Sequence, residues 1–206
     1  NAYNPHASCQ INAPAADIIE KKLINWMCSL AGYPKESGGL FVSGGSIANL
    51  TALTAARDNK LTYEQRKAVI YISDQTHASV SKGLHIIGFC KNQISIIPTD
   101  NSFRMDTTAL EEAIKKDIAL GRKPFAVVAS AGTTNTGSVD PLREISSICK
   151  KHNMWLHVDG AFGASVLLSK KYKKYLDGIE LSDSLSWDAH KWLLQTYGCS
   201  VVLVRN

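Results

Sequence analysis

The chain has 206 residues, a little over one domain at roughly 150 residues each, so one sizeable domain with its own core is expected. Apolar residues make up 45% and charged residues 20%, as in ordinary globular proteins and unlike disordered, collagenous or coiled-coil chains. The net charge of +5 is mild and spread along the chain, which argues against nucleic acid as a partner; the apolar runs at 125–129 and 201–204 are too short to cross a bilayer, so no membrane association is expected.

From Ala16 to Leu30, the residues Ile19, Leu23, Trp26, Met27 and Leu30 fall on one face of a predicted helix, opposite a polar face, and Gly32 and Pro34 end it. A Gly-Gly-Leu-Phe-Val segment leads to a turn at 43–46 and a helix through Leu50, Leu53 and Ala56. Residues 68–73 read as a buried strand, 77–87 as a helix and 94–97 as another strand. Asp106 is a good N-cap for a helix carrying Leu110, Ile114 and Ile118, which Gly121 and then Pro124 terminate. Residues 125–130 form the next predicted strand, 141–152 a helix and 154–158 a strand, with Leu185 and 201–204 marking the last two strands. Strands separated by helices of about ten or more residues imply right-handed crossovers. The expected fold class is therefore α/β, a mainly parallel sheet with helices on both faces.

In such a sheet, ligands bind beyond the carboxyl ends of the strands. Those positions hold Gly44-Gly45-Ser46, Gln75-Thr76-His77, Gly132-Thr133-Thr134, Asp159 and Asp188-Ala189-His190-Lys191. Each has an ordinary reading beside a chemical one. The Gly-Gly-Ser turn is either a tight turn with Ser46 as N-cap, or a cradle in which glycine backbone and helix N–H groups hold an anion. It is not a P-loop, and G-x-G-x-x-G is absent. Asp159 is either a capping aspartate or a buried anion that holds a cation. His157-x-Asp159 could begin a metal site, but no third or fourth ligand sits at a recognisable spacing, and no metal is expected. Lys191, between His190 and Trp192, is either a lysine whose stem lies along the surface or an amine nucleophile toward a carbonyl. Lys170, Lys171, Lys173 and Lys174 read as solvated surface groups.

Four segments taken together identify a family resemblance: Ser73-Asp-Gln-Thr-His-Ala-Ser79, Gly132-Thr-Thr-Asn-Thr-Gly-Ser-Val-Asp-Pro141, His157-Val-Asp-Gly-Ala-Phe-Gly163 and Ser186-Trp-Asp-Ala-His-Lys-Trp192. In this order, and over essentially the whole chain, they resemble the pyridoxal-phosphate-dependent group II amino-acid decarboxylases, relatives of the aromatic amino-acid, glutamate and cysteine-sulfinate enzymes. The resemblance implies the fold type I large domain, pyridoxal 5′-phosphate as cofactor, and carboxy-lyase activity. It implies that Lys191 forms the Schiff base with the cofactor aldehyde, Asp159 binds the pyridine nitrogen and His77 stacks on the ring. Gly45 and Ser46 would hold the phosphate, Thr134 would lie beside the ring, and His190 would lie near the phosphate. Lys191, His77 and Asp159 are the expected catalytic set. Two positions depart from the family pattern: Asp188 stands where many members have asparagine, and Phe162 where tyrosine is common. An asparagine can donate to a phosphate oxygen, whereas an ionised aspartate only accepts, so no phosphate contact is expected from the Asp188 side chain.

The resemblance further implies an L-amino-acid substrate, with aromatic or broad specificity favoured over acidic, and a homodimer with shared active sites. The domain reading is one cofactor-binding large domain over 1–206, incomplete, with the N-terminal segment and C-terminal small domain that the resemblance implies absent from it; the lack of an initiating methionine reads the same way. Arg57, Arg66, Arg104, Arg122, Arg143 and Arg205 match no family position for a substrate carboxylate. Five widely spaced cysteines without a C-x-x-C pair suit a reducing cytosol, so a cytoplasmic location is expected. Two other readings stay open. One is another fold type I pyridoxal-phosphate enzyme, such as an aminotransferase or a lyase; the other is a catalytically silent decarboxylase-like scaffold.

Overall fold

The computed structural model describes residues 10–61 and 65–205. Cys9 lies outside them, and the other four cysteines are free thiols. The elements are α1 (Pro14–Ala31), β1 (Gly38–Val42), α2 (Gly45–Lys60), β2 (Ala68–Ser73), α3 (Ala78–Ile86), β3 (Ile94–Ile97), α4 (Thr107–Ala119), β4 (Lys123–Ser130), α5 (Leu142–Lys151), β5 (Trp155–Asp159), β6 (Ser184–Asp188), α6 (Ala189–Trp192) and β7 (Ser200–Val204). Short 3₁₀ turns join several of them.

Local chemistry explains the boundaries. A proline opens α1, where its missing N–H is no loss. Gly32 closes the helix in the left-handed region at φ 75°, letting the Tyr33 N–H reach the Cys28 carbonyl. One carboxylate oxygen of Asp106 accepts from the N–H groups of Thr108 (2.8 Å) and Ala109 (3.1 Å), so it caps α4 as expected. Strand β4 begins at Lys123, two residues before the predicted start, and therefore contains Pro124. The proline is tolerated because the pairing with β2 shifts register beside it, between Val69 and Ile70.

The strands form one seven-stranded sheet in the order β1-β7-β6-β5-β4-β2-β3. Strands β2 to β6 pair in parallel, whereas β7 is antiparallel to both β6 and β1. Residues 189–199 between β6 and β7 include only the four-residue α6, too little for a parallel crossover, so the chain turns back.

Both faces of the sheet are covered, and alternation along each central strand divides the core. Ile70, Ile72, Ala126 and Val128 pack with Leu53 and Ala56 of α2 and with Val80 and Leu84 of α3. Val69, Tyr71, Val127 and Ala129 face the opposite way, toward Met27 of α1, Leu110 and Ile114 of α4 and Ile145 of α5. Each such large apolar side chain, once fully buried, stabilises the fold by about 1.5–3 kcal/mol.

The buried face of α1 differs from the sequence expectation. Ile24, Met27, Cys28 and Ala31 are buried, whereas Ile19, Leu23 and Trp26 are 57%, 41% and 46% exposed. Both stripes satisfy the helical period. The compact one, at i, i+3, i+4 and i+7, is the one that packs into the core, and the bulkier stripe is left facing outward.

Candidate active site

From β2 the chain steps outward to β3, then returns across β2 to β4 and continues to β5 and β6. The strand order therefore reverses between β2 and β4, where α/β sheets open a crevice at their carboxyl ends. A crevice of about 280 Å³ lies there. Gly45, Ser46, His77, Thr134, Asp159, His190 and Lys191 all line it, so the residues expected to hold the cofactor meet in one place.

The N-terminus of α2 forms one wall. Gly44, not Ser46, is the N-cap, so Gly45 and Ser46 belong to the first turn, whose N–H groups have no intrahelical partners. Those groups and the positive end of a 16-residue helix suit an anion. Gly45 leaves room for Asp188: a Cβ there would lie 2.7 Å from both of its carboxylate oxygens and would force that side chain to shift.

Strand β5 delivers Asp159 to its tip, 8% exposed. Oδ2 accepts from Asn49 Nδ2 at 2.9 Å, and Oδ1 accepts from the Ala161 N–H at 3.1 Å and the Ser186 hydroxyl at 3.3 Å. Three donors thus fix the carboxylate plane. His77 is the N-cap of α3, and its Nδ1 accepts from the Ser79 N–H at 3.2 Å. Thr134 sits in the turn after β4, in a loop tied by a Thr133–Thr136 hydroxyl contact of 2.6 Å and by the Gly132 N–H on the Ser138 carbonyl.

Strand β6 ends at Asp188, and α6 then turns Lys191 into the crevice wall. The half-exposed Lys191 Nζ lies 3.1 Å from Asp188 Oδ2, and His190 Nε2 lies 3.7 Å from the same oxygen. His190 Nδ1 donates to the Cys199 carbonyl at 3.0 Å, which holds the ring against the start of β7. Asp188 is 2% exposed, and its Oδ1 has no hydrogen-bond partner among the described residues. Its carboxylate therefore acts as counter-ion to Lys191. Phe162 packs edge-on against Trp192, with centroids 5.1 Å apart.

Asn49 and Ser79 also line the crevice and were not singled out from the sequence. The available signal was an asparagine inside a helix otherwise buried through Ala48, Ala52, Leu53 and Ala56, a place where asparagine is unfavourable unless it has partners. Below the crevice floor, burial pushes the imidazole of His157 down to about 4, against the pull of Asp159. Burial lifts the carboxyl of Asp140 to about 6, against its bonds from the Met105 and Ser130 N–H groups.

These two groups drive stability in opposite directions. A histidine lowered in the fold gives up stability as pH falls from about 6.5 to 4, because the unfolded chain takes the proton first. An aspartate raised in the fold gains stability as pH falls from about 6 to 3.8. Between pH 6 and 4 the two trends therefore oppose one another. Asp140→Asn should uncover the histidine: its stability, from urea unfolding at each pH, should fall more steeply from pH 6 to 4 than the parent's. Equal slopes would contradict the assignment.

The donor set fits pyridoxal phosphate: an anion cradle at a helix N-terminus, a carboxylate held flat by three donors, an imidazole on the wall and a primary amine. Residues 4–206 match the family model described as the pyridoxal-dependent decarboxylase conserved domain. The chain is 48% identical to an aromatic-L-amino-acid decarboxylase of Bacillus atrophaeus, over all of this chain and 43% of that protein. It superposes on the glutamate decarboxylase domain of the diaminobutyrate-pyruvate transaminase and L-2,4-diaminobutyrate decarboxylase of Vibrio parahaemolyticus with TM-score 0.94. That match has 34% identity and covers 98% of this chain and 47% of the other. For the Oryza sativa TDC solved with PLP and tryptamine the TM-score is 0.90 at 30% identity, covering 96% of this chain and 44% of the other. The chain thus spans less than half the length of these relatives. On its sequence, its fold and the residues that meet in the crevice, the chain belongs to the pyridoxal-dependent decarboxylase family.

Proposed function

We propose that this chain is the cofactor-binding large domain of an enzyme that decarboxylates an L-amino acid to its amine and carbon dioxide. The observation that carries the reading is the convergence of Lys191, Asp159, His77 and the α2 N-terminus on one crevice. Pyridoxal phosphate, when bound, supplies an electron sink for the pair released as the Cα–carboxylate bond breaks.

The roles of the protein groups follow from their chemistry. Lys191 supplies the amine that holds the cofactor covalently. Asp159 keeps a proton on the ring nitrogen, since a carboxylate beside a pyridinium favours its charged form. His77 covers a ring face, the first turn of α2 receives the phosphate, and Thr134 and His190 complete the walls. Asp188, acceptor-only when ionised, holds Lys191 and gives the phosphate no hydrogen bond from its side chain.

Aromatic or broad specificity is part of the proposal, supported by the likeness to the Bacillus protein. A homodimer is another part. Beside the crevice lies an apolar groove of about 820 Å³ lined by Val166, Tyr172, Leu176 and Trp192, and Leu194 and Tyr197 nearby are 90% and 94% exposed. A second copy covering this groove would bury its apolar lining and shield the crevice from water. The proposal places the enzyme in the cytoplasm; among the described residues no helix is long and apolar enough to cross a membrane.

The test is carbon dioxide release by the full-length protein, with pyridoxal phosphate added, across the common L-amino acids. Amine and carbon dioxide in equal amounts, greatest for an aromatic substrate, are expected. Keto-acid formation without carbon dioxide would favour an aminotransferase, and no reaction with any substrate would favour a silent scaffold.

A further inference from the structure

A continuous line of hydrogen bonds runs beneath the crevice from β5 to the start of α3, and its direction can be read from groups that can only donate or only accept. Trp155 Nε1–H donates to Ser184 Oγ at 2.8 Å, and His157 Nδ1 lies 2.9 Å from the same oxygen. An amide oxygen only accepts, so His157 carries its proton on Nε2 and donates to Asn49 Oδ1 at 3.0 Å, and its bare Nδ1 accepts from the Ser184 hydroxyl. This orientation of the Asn49 amide is the one that turns its NH₂ toward Asp159 Oδ2, an obligate acceptor at 2.9 Å. The second amide proton faces Ser79 Oγ at 3.2 Å, and that hydroxyl lies 2.8 Å from His77 Nδ1. The far end sets the last direction: the backbone N–H of Ser79 donates to His77 Nδ1, so that nitrogen is bare and the Ser79 hydroxyl donates to it. His157, Asn49 and Ser79 are 0%, 1% and 8% exposed, so water offers them little substitute for these bonds.

We propose that Asn49 is a positioning residue that ties the Asp159 carboxylate to the His77 ring and, through Ser79, fixes His77 as the Nε2–H tautomer. One side chain thereby sets two groups of the crevice wall, the carboxylate and the imidazole, from the second turn of α2. Its residue type is chemically required. Aspartate would place a second carboxylate against Asp159, whereas an apolar residue would orphan the His157 Nε2–H and release the Ser79 hydroxyl. The inference deepens the reading of the crevice as a cofactor site, but the tautomer can be read without turnover, so the two can fail separately.

The experiment is ¹⁵N NMR of the full-length protein with histidine labelled in the ring, with and without pyridoxal phosphate, and with His77 assigned by its loss in His77→Gln. The parent should show His77 with a protonated Nε2 and a bare Nδ1. In Asn49→Ala the Nδ1–H form should rise about fivefold, the effect of one ordinary hydrogen bond. Ser79→Ala removes the same hydroxyl and should give a similar rise, and adding Asn49→Ala to it should add nothing further. A parent with the proton on Nδ1 would overturn the proposal, whatever the variants do. So would unchanged His77 signals in folded Ser79→Ala, which remains available if Asn49→Ala does not fold.

Discussion

Lys191→Arg in the full-length protein is expected to abolish carbon dioxide release and the visible absorbance of covalently held cofactor, while leaving the fold intact. The arginine keeps a positive charge beside Asp188, yet its guanidinium stays protonated and cannot act as a neutral amine. Lys191→Ala should be equally inactive but also less stable. It would leave the 2%-exposed Asp188 carboxylate, whose Oδ1 has no partner among the described residues, without its 3.1 Å counter-ion. Comparing the two variants by absorbance, turnover and thermal unfolding separates the chemical role of the amine from its electrostatic one. Retained turnover in either would refute the role assigned to Lys191.

Asp159→Asn should lower turnover by about 10²–10³-fold, the usual effect of removing one group aimed at developing charge. The structure sharpens what else will happen. All three partners of Asp159, Asn49 Nδ2, the Ala161 N–H and the Ser186 hydroxyl, are placed to donate. An asparagine amide has one acceptor oxygen, so its NH₂ must face at least one of those donors. A stability loss of about 1–3 kcal/mol should therefore accompany the loss of turnover. A variant that is destabilised yet turns over at the parent's rate would contradict the role proposed for the carboxylate.

The crevice was legible in the sequence because its residues follow directly from strands that periodicity could find. Asp159 ends β5 and Lys191 follows β6 by three residues, so locating the strands located the groups. Asn49 was hidden for the opposite reason. It projects from the second turn of a helix, and its importance lies in partners as far away as Asp159 and His157, which no local pattern reports. The exposed stripe of α1 was misjudged because Ile19, Leu23 and Trp26 satisfy the helical period as well as the stripe that is buried. Period locates a helix and its apolar stripes, but the choice between two stripes is made by what packs against them. The role of Asp188 was half legible: its acceptor-only chemistry follows from its identity, but its pairing with Lys191 and its fit against Gly45 appear only in three dimensions.

The central claim is that Lys191 is the residue that holds pyridoxal phosphate in this crevice. The full-length protein should be incubated with pyridoxal phosphate, reduced with borohydride, digested and mapped by mass spectrometry. The account predicts a phosphopyridoxyl group on the peptide that carries Lys191, and its absence from that peptide in Lys191→Arg. Modification confined to other lysines, or none at all in a protein that releases carbon dioxide, would contradict it.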